Sequence, residues 1–349
     1  MEQAGGVRSD YHGQTLIRHF GDPAGEYRAA TESAVVFDRS HRTRLVVSGR
    51  APGKMLNGVL TGTMPLAPTG PSEATGVWTG RSTYHAVLTP KGKMISDLWA
   101  TALGADGVAG YLLDVPVAGR EGLLALFTKV LPPRLATVRD ATPETAMISV
   151  AGPAAAELAS RLALDGRVGA DDLRALEEGE WRAAEAPPAG LAVAKTREVR
   201  PDAYSVTGPA EAVASLWAVL VVEGARPAGL GVWSTLRVEA GRPAFGTDMD
   251  QDTIPVEAGI QDRAIDYAKG CYTGQEVIVR IRDRGHVNRG LRQLMLGDVP
   301  APHRGAELYV EGTEKPVGHV TSAVQSPRFG QTVALGYVKR GVEGTPLPR

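Results

Sequence analysis

Cys271 is the only cysteine in 349 residues, and polar groups surround it. The run Lys269-Gly270-Cys271-Tyr272-Thr273-Gly274-Gln275-Glu276 sets the thiol two residues from a lysine, between glycines, beside a tyrosine and five residues before a carboxylate. A neighbouring cation stabilises a thiolate, the nucleophilic and metal-binding form of cysteine. Gln275 and Glu276 could hydrogen-bond a ligand, and glycine lets backbone approach one closely. Free cysteines are also commonly buried and inert, so the residues alone leave both readings open.

Two further features could carry chemistry. Asp97 follows the turn Pro90-Lys91-Gly92 with Ile95 and Trp99 on its own strand face. A carboxylate among apolar neighbours either faces solvent or works, and periodicity favours the solvated face. Between residues 269 and 292, Lys269, Arg280, Arg282, Arg284, Arg289 and Arg292 stand against Glu276 and Asp283. Taken as a strand, residues 277–282 would put Val277, Val279 and Ile281 on one face and Arg280 with Arg282 on the other, a basic ladder suited to a polycarboxylate tail, an acidic partner or RNA.

Other motifs fail. Gly49-Arg50-Ala51-Pro52-Gly53-Lys54-Met55 is one residue short of a phosphate loop and lacks its Ser or Thr. Gly229-Leu230-Gly231 has Ser234 where a dinucleotide fingerprint needs its third glycine. The Asp248, Asp250, Asp252 spacing resembles a calcium loop, but Thr253 and Gly259 occupy the positions that need Gly and Glu. Seven histidines show no paired ligand spacing, so no metal site is expected.

The elements that must position these groups read as α+β. A net charge of −1 gives no global attraction to nucleic acid or anionic membranes. No run approaches the roughly 20 apolar residues of a membrane span, one cysteine makes no internal disulfide, and residues 1–6 lack a basic head and apolar stretch, so a cytoplasmic protein is expected. Residues 45–48 form a strand, Gly49 turns, and Pro52 opens a helix to residue 60. Strands at 84–88 and 94–100 make a hairpin, and strand 111–115, helix 121–131 and strand 134–138 complete a ferredoxin-like unit. Strand, glycine, proline and helix then recur at 146–162, with Gly152 placed 103 positions after Gly49. Such a repeat predicts two α+β units with a ligand crevice between them. Ser234 is expected to cap a short helix that Gly241 ends, and residues 242–261 read as an acidic connector without hydrophobic period. Four strand-like runs from residue 290 on predict a small all-β domain, with residues 345–349 frayed. The expected division is residues 1–48 with 140–289, residues 49–139, and residues 290–349.

The octapeptide at 269–276 resembles the signature Lys-Gly-Cys-Tyr-x-Gly-Gln-Glu of the YgfZ family of folate-binding proteins, relatives of the glycine-cleavage T-protein, an aminomethyltransferase. Weaker matches follow in order: Phe37-Asp38-Arg39-Ser40, Leu88-Thr89-Pro90-Lys91-Gly92-Lys93 leading to Asp97, Leu236-Arg237-Val238-Glu239-Ala240-Gly241-Arg242-Pro243, and Gly318-His319-Val320-Thr321-Ser322. The resemblance implies a T-protein-like three-domain cloverleaf of two α+β domains and a C-terminal β-barrel, around a channel for tetrahydrofolate or a one-carbon derivative. Asp97 would orient the folate, Cys271 with Asp97 and Lys269 would form the catalytic group, and Arg237, Glu239, Tyr272, Gln275, Glu276 and Arg280 would help hold the ligand. Three positions depart from T-proteins: Ser96-Asp97 replaces two consecutive acids, residues 200–204 replace a pterin-gripping Tyr-Thr-Gly-Glu, and Cys271 stands where an acid follows the lysine. The implied role is iron–sulfur cluster assembly or repair, with client or assembly proteins as partners. Folate-dependent aminomethyl transfer or demethylation, and an RNA- or partner-binding module, are the alternatives.

Overall fold

The computed structural model describes residues 6–104, 107–201, 203–312 and 314–348. Residues 1–5, Asp202 and Arg349, on which the reading of the amino terminus as lacking a basic head and apolar stretch, part of the 200–204 replacement and part of the frayed end fall, lie outside the described residues.

One sheet has five strands in the order Thr83–Leu88, Met94–Leu103, Gly110–Val115, Thr43–Ser48, Thr137–Asp140, every neighbour antiparallel. Helices Pro52–Asn57 and Val117–Val130 supply the crossovers, so the sheet is the expected ferredoxin-like unit with Thr83–Leu88 added at its edge. Leu45, Val47, Leu98, Leu113, Leu123 and Phe127 fill its core.

The second sheet runs Arg226–Pro227, Val35–Asp38, Thr145–Ala151, Ala203–Pro209, Ala192–Thr196, Glu180–Ala183, Trp78–Arg81. Helices Ala155–Ala163 and Ala210–Val222 pack on it through Leu158, Ala159, Val213 and Leu216. In both sheets the opening strand lies beside the strand that feeds the second helix, which is the repeat read from the sequence. The chain leaves both opening strands through a glycine, Gly49 at φ +132 and Gly152 at φ +119. A Cβ there would stand 2.9 Å from Leu135 O or 2.5 Å from Ser33 O, so only glycine permits the turn.

The strands are exchanged across the expected boundaries. Thr43–Ser48, assigned above with residues 1–48, pairs in the ferredoxin-like sheet, and Trp78–Arg81, from 49–139, pairs with Glu180–Ala183 in the seven-stranded one. Backbone pairing partners, not sequence proximity, decide sheet membership, and the two units are thereby tied together.

From Arg289 five strands form an open sheet, in the order Arg289–Gly297, Gln331–Lys339, Gly318–Ser326, Glu307–Tyr309, Leu347–Pro348. It is a half-closed version of the expected barrel. Leu347 and Pro348 pair with Tyr309 and Leu308, so that part of the end read as frayed is held.

Three local expectations are corrected. The run read as a strand at 277–282 is the helix Gln275–Arg284. Its Val-Ile-Val sequence favours strand, but burial of Ile278 in the Tyr272, Met249 and Leu88 cluster, worth roughly 1.5–3 kcal/mol, outweighs that preference. At 100° per residue Arg280 and Arg282 no longer share a face, so the basic ladder is absent, and Arg282 instead pairs with Asp283 at 2.6 Å. The helix Leu230–Glu239 is capped by Gly229, five residues before the expected cap Ser234, because Val232, Trp233 and Leu236 all bury one face of it. The acidic connector is folded and partly interior: Phe245, Asp248, Met249 and Thr253 are buried.

Gly274 starts the Gln275–Arg284 helix at φ +84, where an added Cβ would lie 2.6 Å from Thr89 O in the hairpin turn. Replacing Gly274 by alanine should therefore cost about 1–3 kcal/mol of stability. An unchanged urea midpoint would show that the loop is not docked on the hairpin. Among the described residues, no helix is long and apolar enough to cross a membrane.

Candidate functional site

Both sheets, the turn at residues 39–42 and the Leu230–Glu239 helix converge on an inner cavity of about 270 Å³. Its walls include Asp97 and Trp99 from the Met94–Leu103 strand, Tyr84 from the paired strand, Trp233, and Phe245 from the folded connector. Asp97 and Trp99 are two apart on the strand and so share a face, as the alternation requires.

Asp97 is buried, 8% exposed, rather than solvated. Its Oδ2 accepts a 2.6 Å hydrogen bond from the Tyr84 hydroxyl. Burial pushes the carboxyl up to about 6, against the opposing pull of the Tyr84 hydrogen bond and Arg42. The neighbouring Ser96 is packed tightly: a Cβ on Gly119 of the helix above would come within 1.9 Å of its hydroxyl oxygen. A second acid at position 96 has no room on this backbone.

Glu198 enters the same cavity from the loop after Ala192–Thr196. Arg39 Nη2 donates to its Oε2 at 3.1 Å. Burial opposes its charge, but Arg39, Arg42 and Arg263 outweigh that and hold the carboxyl down at about 2. Arg42 and Arg263 are committed elsewhere. Arg42 Nε donates to both oxygens of Asp114 at 2.7 and 2.9 Å, and Arg263 donates to Glu178 at 2.6 and 3.1 Å. The Arg39 guanidinium lies 3.8 Å from the Trp233 ring centroid, while its Nε and Nη1 are buried without an acceptor. His41, also on the wall, is kept neutral by burial and by Arg39, Arg42 and Arg44.

Two outer hollows of about 840 Å³ adjoin this cavity. One shares Tyr84, Trp99 and Arg263 with it and opens past Thr63, Leu66 and Asp266. The other shares Arg242 and is lined by Tyr27, Arg197, Arg200, Glu239 and Arg328.

The residues expected from the sequence do not gather in one place. Asp97 and Arg237 line the inner cavity, and Glu239 lines an outer hollow. Arg237 also donates to Asp248 at 2.6 Å and to Ser322 at 3.0 Å, and Glu239 accepts from Tyr27 and Ser326, so both join the helix to neighbouring parts of the fold. Cys271 is exposed and lines none of these spaces. Lys269 donates to the carbonyls of Leu60 and Gly62 at 2.7 and 2.9 Å, and burial lowers its ammonium to about 8. Those two bonds anchor the loop to residues 60–62, of which Gly62 lines an outer hollow. Tyr272 is buried with its hydroxyl unpartnered, while Glu276 and Arg280 are exposed and Gln275 forms the first turn of the helix. Arg39, Tyr84, Glu198 and Arg263 were not singled out as site residues. The cluster Arg39-Ser40-His41-Arg42-Thr43-Arg44 between two strands was the available signal for the first of them. No group of three His, Cys, Asp or Glu among the described residues could hold a metal ion.

Two linked α+β units closing on an inner cavity, clasped by a C-terminal β-sheet, define the architecture of a T-protein. Residues 8–269 match the GCVT N-terminal domain and residues 289–346 the glycine cleavage T-protein C-terminal barrel domain. The chain belongs to the glycine cleavage T-protein family. It is 31% identical over 338 residues to the aminomethyltransferase of Rubrobacter xylanophilus, covering 96% of this chain and 84% of the relative. With the aminomethyltransferase of Thermosynechococcus vestitus it shares 30% identity over 318 residues, 90% of this chain and 79% of that one. The crystal structure of glycine cleavage system aminomethyltransferase T from Bartonella henselae shares the fold at a TM-score of 0.80 and 22% identity, over 98% of this chain and 89% of that one.

Proposed function

We propose that this chain binds tetrahydrofolate or a one-carbon derivative in the inner cavity and takes part in folate-dependent group transfer of the aminomethyltransferase type. The supporting observation is Asp97, a buried carboxyl at about 6 that exists in both protonation states near neutrality. Such a group can hold a proton for an amine nitrogen and return it, the task of a general acid–base. The folate supplies ring nitrogens that carry the one-carbon unit. A volume of about 270 Å³ lies near the lower end of ligand sites, about 300–1,000 Å³, and suits a bicyclic ring with its tail directed outward. Trp99, Trp233 and Phe245 offer it apolar walls. The relatives named aminomethyltransferase support the same reading. Calorimetric titration with tetrahydrofolate and its methylene and formyl forms tests it, and absence of binding by all three defeats it.

A second reading, YgfZ-like service to iron–sulfur proteins, is favoured by one observation: the thiol of Cys271 is exposed on a docked loop, outside the cavity, where a client or assembly protein could reach it. On either reading Cys271→Ser should leave tetrahydrofolate affinity within about twofold and the melting temperature unchanged, since no cavity or core contact is lost. The iron–sulfur reading further requires that the same variant fail to restore cluster-enzyme activity in a deletion strain. Full restoration would remove the thiol from that function.

A further inference from the structure

Away from their crossover helices, the two large sheets face each other. The seven-stranded sheet packs Val193 and Val206 on its helices and the ferredoxin-like sheet packs Leu98 and Leu113 on its own, so strand alternation points the intervening residues into the layer between the sheets. Facing sheets pack about 10 Å apart when side chains from both fill that layer. Here one wall is Ala192, Ala194, Ser205 and Thr207, too short to close on Thr101 and Leu112 of the other. A narrow slot of about 90 Å³ is left. Ala192 and Ala194 are only half-buried although their strand has neighbours on both sides, as an unfilled layer requires. The slot follows the Ala192–Thr196 strand, with its outer end at Gly190 and the exposed Pro188, and its inner end at Trp99 and Glu198, which are also walls of the inner cavity. Its charged groups are committed: Asp114 to Arg42, Glu198 to Arg39 and Lys195 to the Arg174 carbonyl. Apolar groups and hydroxyls make up the rest of its lining.

Aminomethyl transfer to a folate has to dispose of a nitrogen. A donor X–CH2–NH2 gives its carbon to two folate nitrogens: the X–C and C–N bonds break, the two protons displaced from the folate nitrogens end on X and on the amine, and neutral ammonia is left. With the folate ring in the inner cavity, its tail in one outer hollow and the donor reaching it through the other, both wide mouths are occupied when ammonia forms. We propose that the slot is the exit for this small uncharged amine product, leading from the inner cavity between the sheets to the surface at Pro188. Its size admits molecules about as large as water and excludes folate or a donor of more than a few heavy atoms. Its hydroxyls can hydrogen-bond ammonia, whereas ammonium would lose the hydration of its charge there. The inference rests on the folate-dependent aminomethyl reading and adds to it a path for the product.

Ala192 and Ala194 line the slot and no part of the inner cavity, so lengthening them obstructs one without altering the other. Wild type, Ala194→Leu and the smaller change Ala192→Val are given tetrahydrofolate and S-aminomethyl dihydrolipoamide, a small soluble donor in which X is sulfur. Rapid quench follows methylene-folate, and a coupled assay follows ammonia. Both variants should bind tetrahydrofolate within about twofold of wild type and complete the first turnover at the wild-type rate, while steady-state turnover by Ala194→Leu falls about tenfold after a burst, with Ala192→Val between. Equal steady-state rates in all three proteins overturn the proposal, because ammonia then leaves by the hollows. A first turnover slowed as much as the steady state overturns it too, since the slot would then belong to the reaction cavity. The opening itself is read without turnover by diffusing xenon into crystals: wild type should hold it between Ala194 and Leu112, and Ala194→Leu should not. A wild-type slot without xenon is closed to small molecules and defeats the exit. If wild type binds tetrahydrofolate yet releases no ammonia from this donor, the aminomethyl reading fails instead, and if it binds no folate the folate reading does.

Discussion

Asp97→Asn is expected to abolish folate-dependent turnover, by about 10²–10⁴-fold as for loss of a general acid–base, while making the protein more stable above neutral pH. The stability effect follows from the direction of the shift. The Asp97 carboxyl titrates at about 6 when folded, against an ordinary 3.8. The folded state thus binds the proton more tightly than the unfolded one. Below about pH 4 both states are protonated and burial of the neutral acid carries no ionisation penalty. As pH rises from about 4 to 6 the unfolded chain ionises first and stability is lost; above that the penalty is complete, about 3 kcal/mol for a shift of this size. Asparagine never ionises, and its amide oxygen still accepts from the Tyr84 hydroxyl. The melting temperatures of the two proteins should therefore coincide near pH 4 and separate by several degrees at pH 8, the variant being higher. Parallel stability curves across this range would show that Asp97 is not held in a desolvated site. Retained turnover would remove it from the chemistry.

Asp248→Ala should have the largest effect on the fold. Asp248 has a side-chain exposure of 0%, and it takes Arg237 Nη1 at 2.6 Å and Ala244 N at 3.0 Å on one oxygen, with the hydroxyls of Thr321 and Ser322 at 2.6 Å each on the other. It thus joins the Leu230–Glu239 helix, the folded connector and the Gly318–Ser326 strand. Alanine would leave the Arg237 guanidinium interior with its charge uncompensated, which costs about 3–5 kcal/mol. Because the lost bonds cross from the α+β units to the C-terminal sheet, denaturation should split into two transitions, and limited proteolysis should cut near residues 286–288. A single transition at the wild-type midpoint would show that Asp248 does not hold the sheet. Replacing Arg237 and Asp248 together by Met and Leu should recover much of the loss, since the unpaired cation goes with its partner.

What was legible in the sequence had local causes. Strand, glycine, proline and helix repeat because both sheets need a glycine where their opening strand ends, and the hairpin around Pro90-Lys91-Gly92 announced itself through turn chemistry. Hence the fold class and the site strand were readable. The rest depended on distant partners. Glu198, Arg39 and Arg263 come from three separate segments, and only the folded chain sets them round one space. Asp248 looked like one charge of an acidic run because its partners at 237, 321 and 322 lie far along the chain. The helix at 275–284 was misread because its β-branched residues satisfy two periodicities over so short a stretch, and the deciding burial of Ile278 is tertiary.

The isolation of Cys271 has a practical side. A chain with one thiol, and that thiol at the surface, already carries a unique address for a maleimide dye or spin label, with no background cysteines to remove. The loop bearing it abuts the hairpin turn through Gly92 against Val277 and Gly274 against Thr89. That turn leads in five residues to Asp97. A reporter attached there would watch the strand from behind, and filling of the cavity could be followed as a change in its spectrum or its mobility.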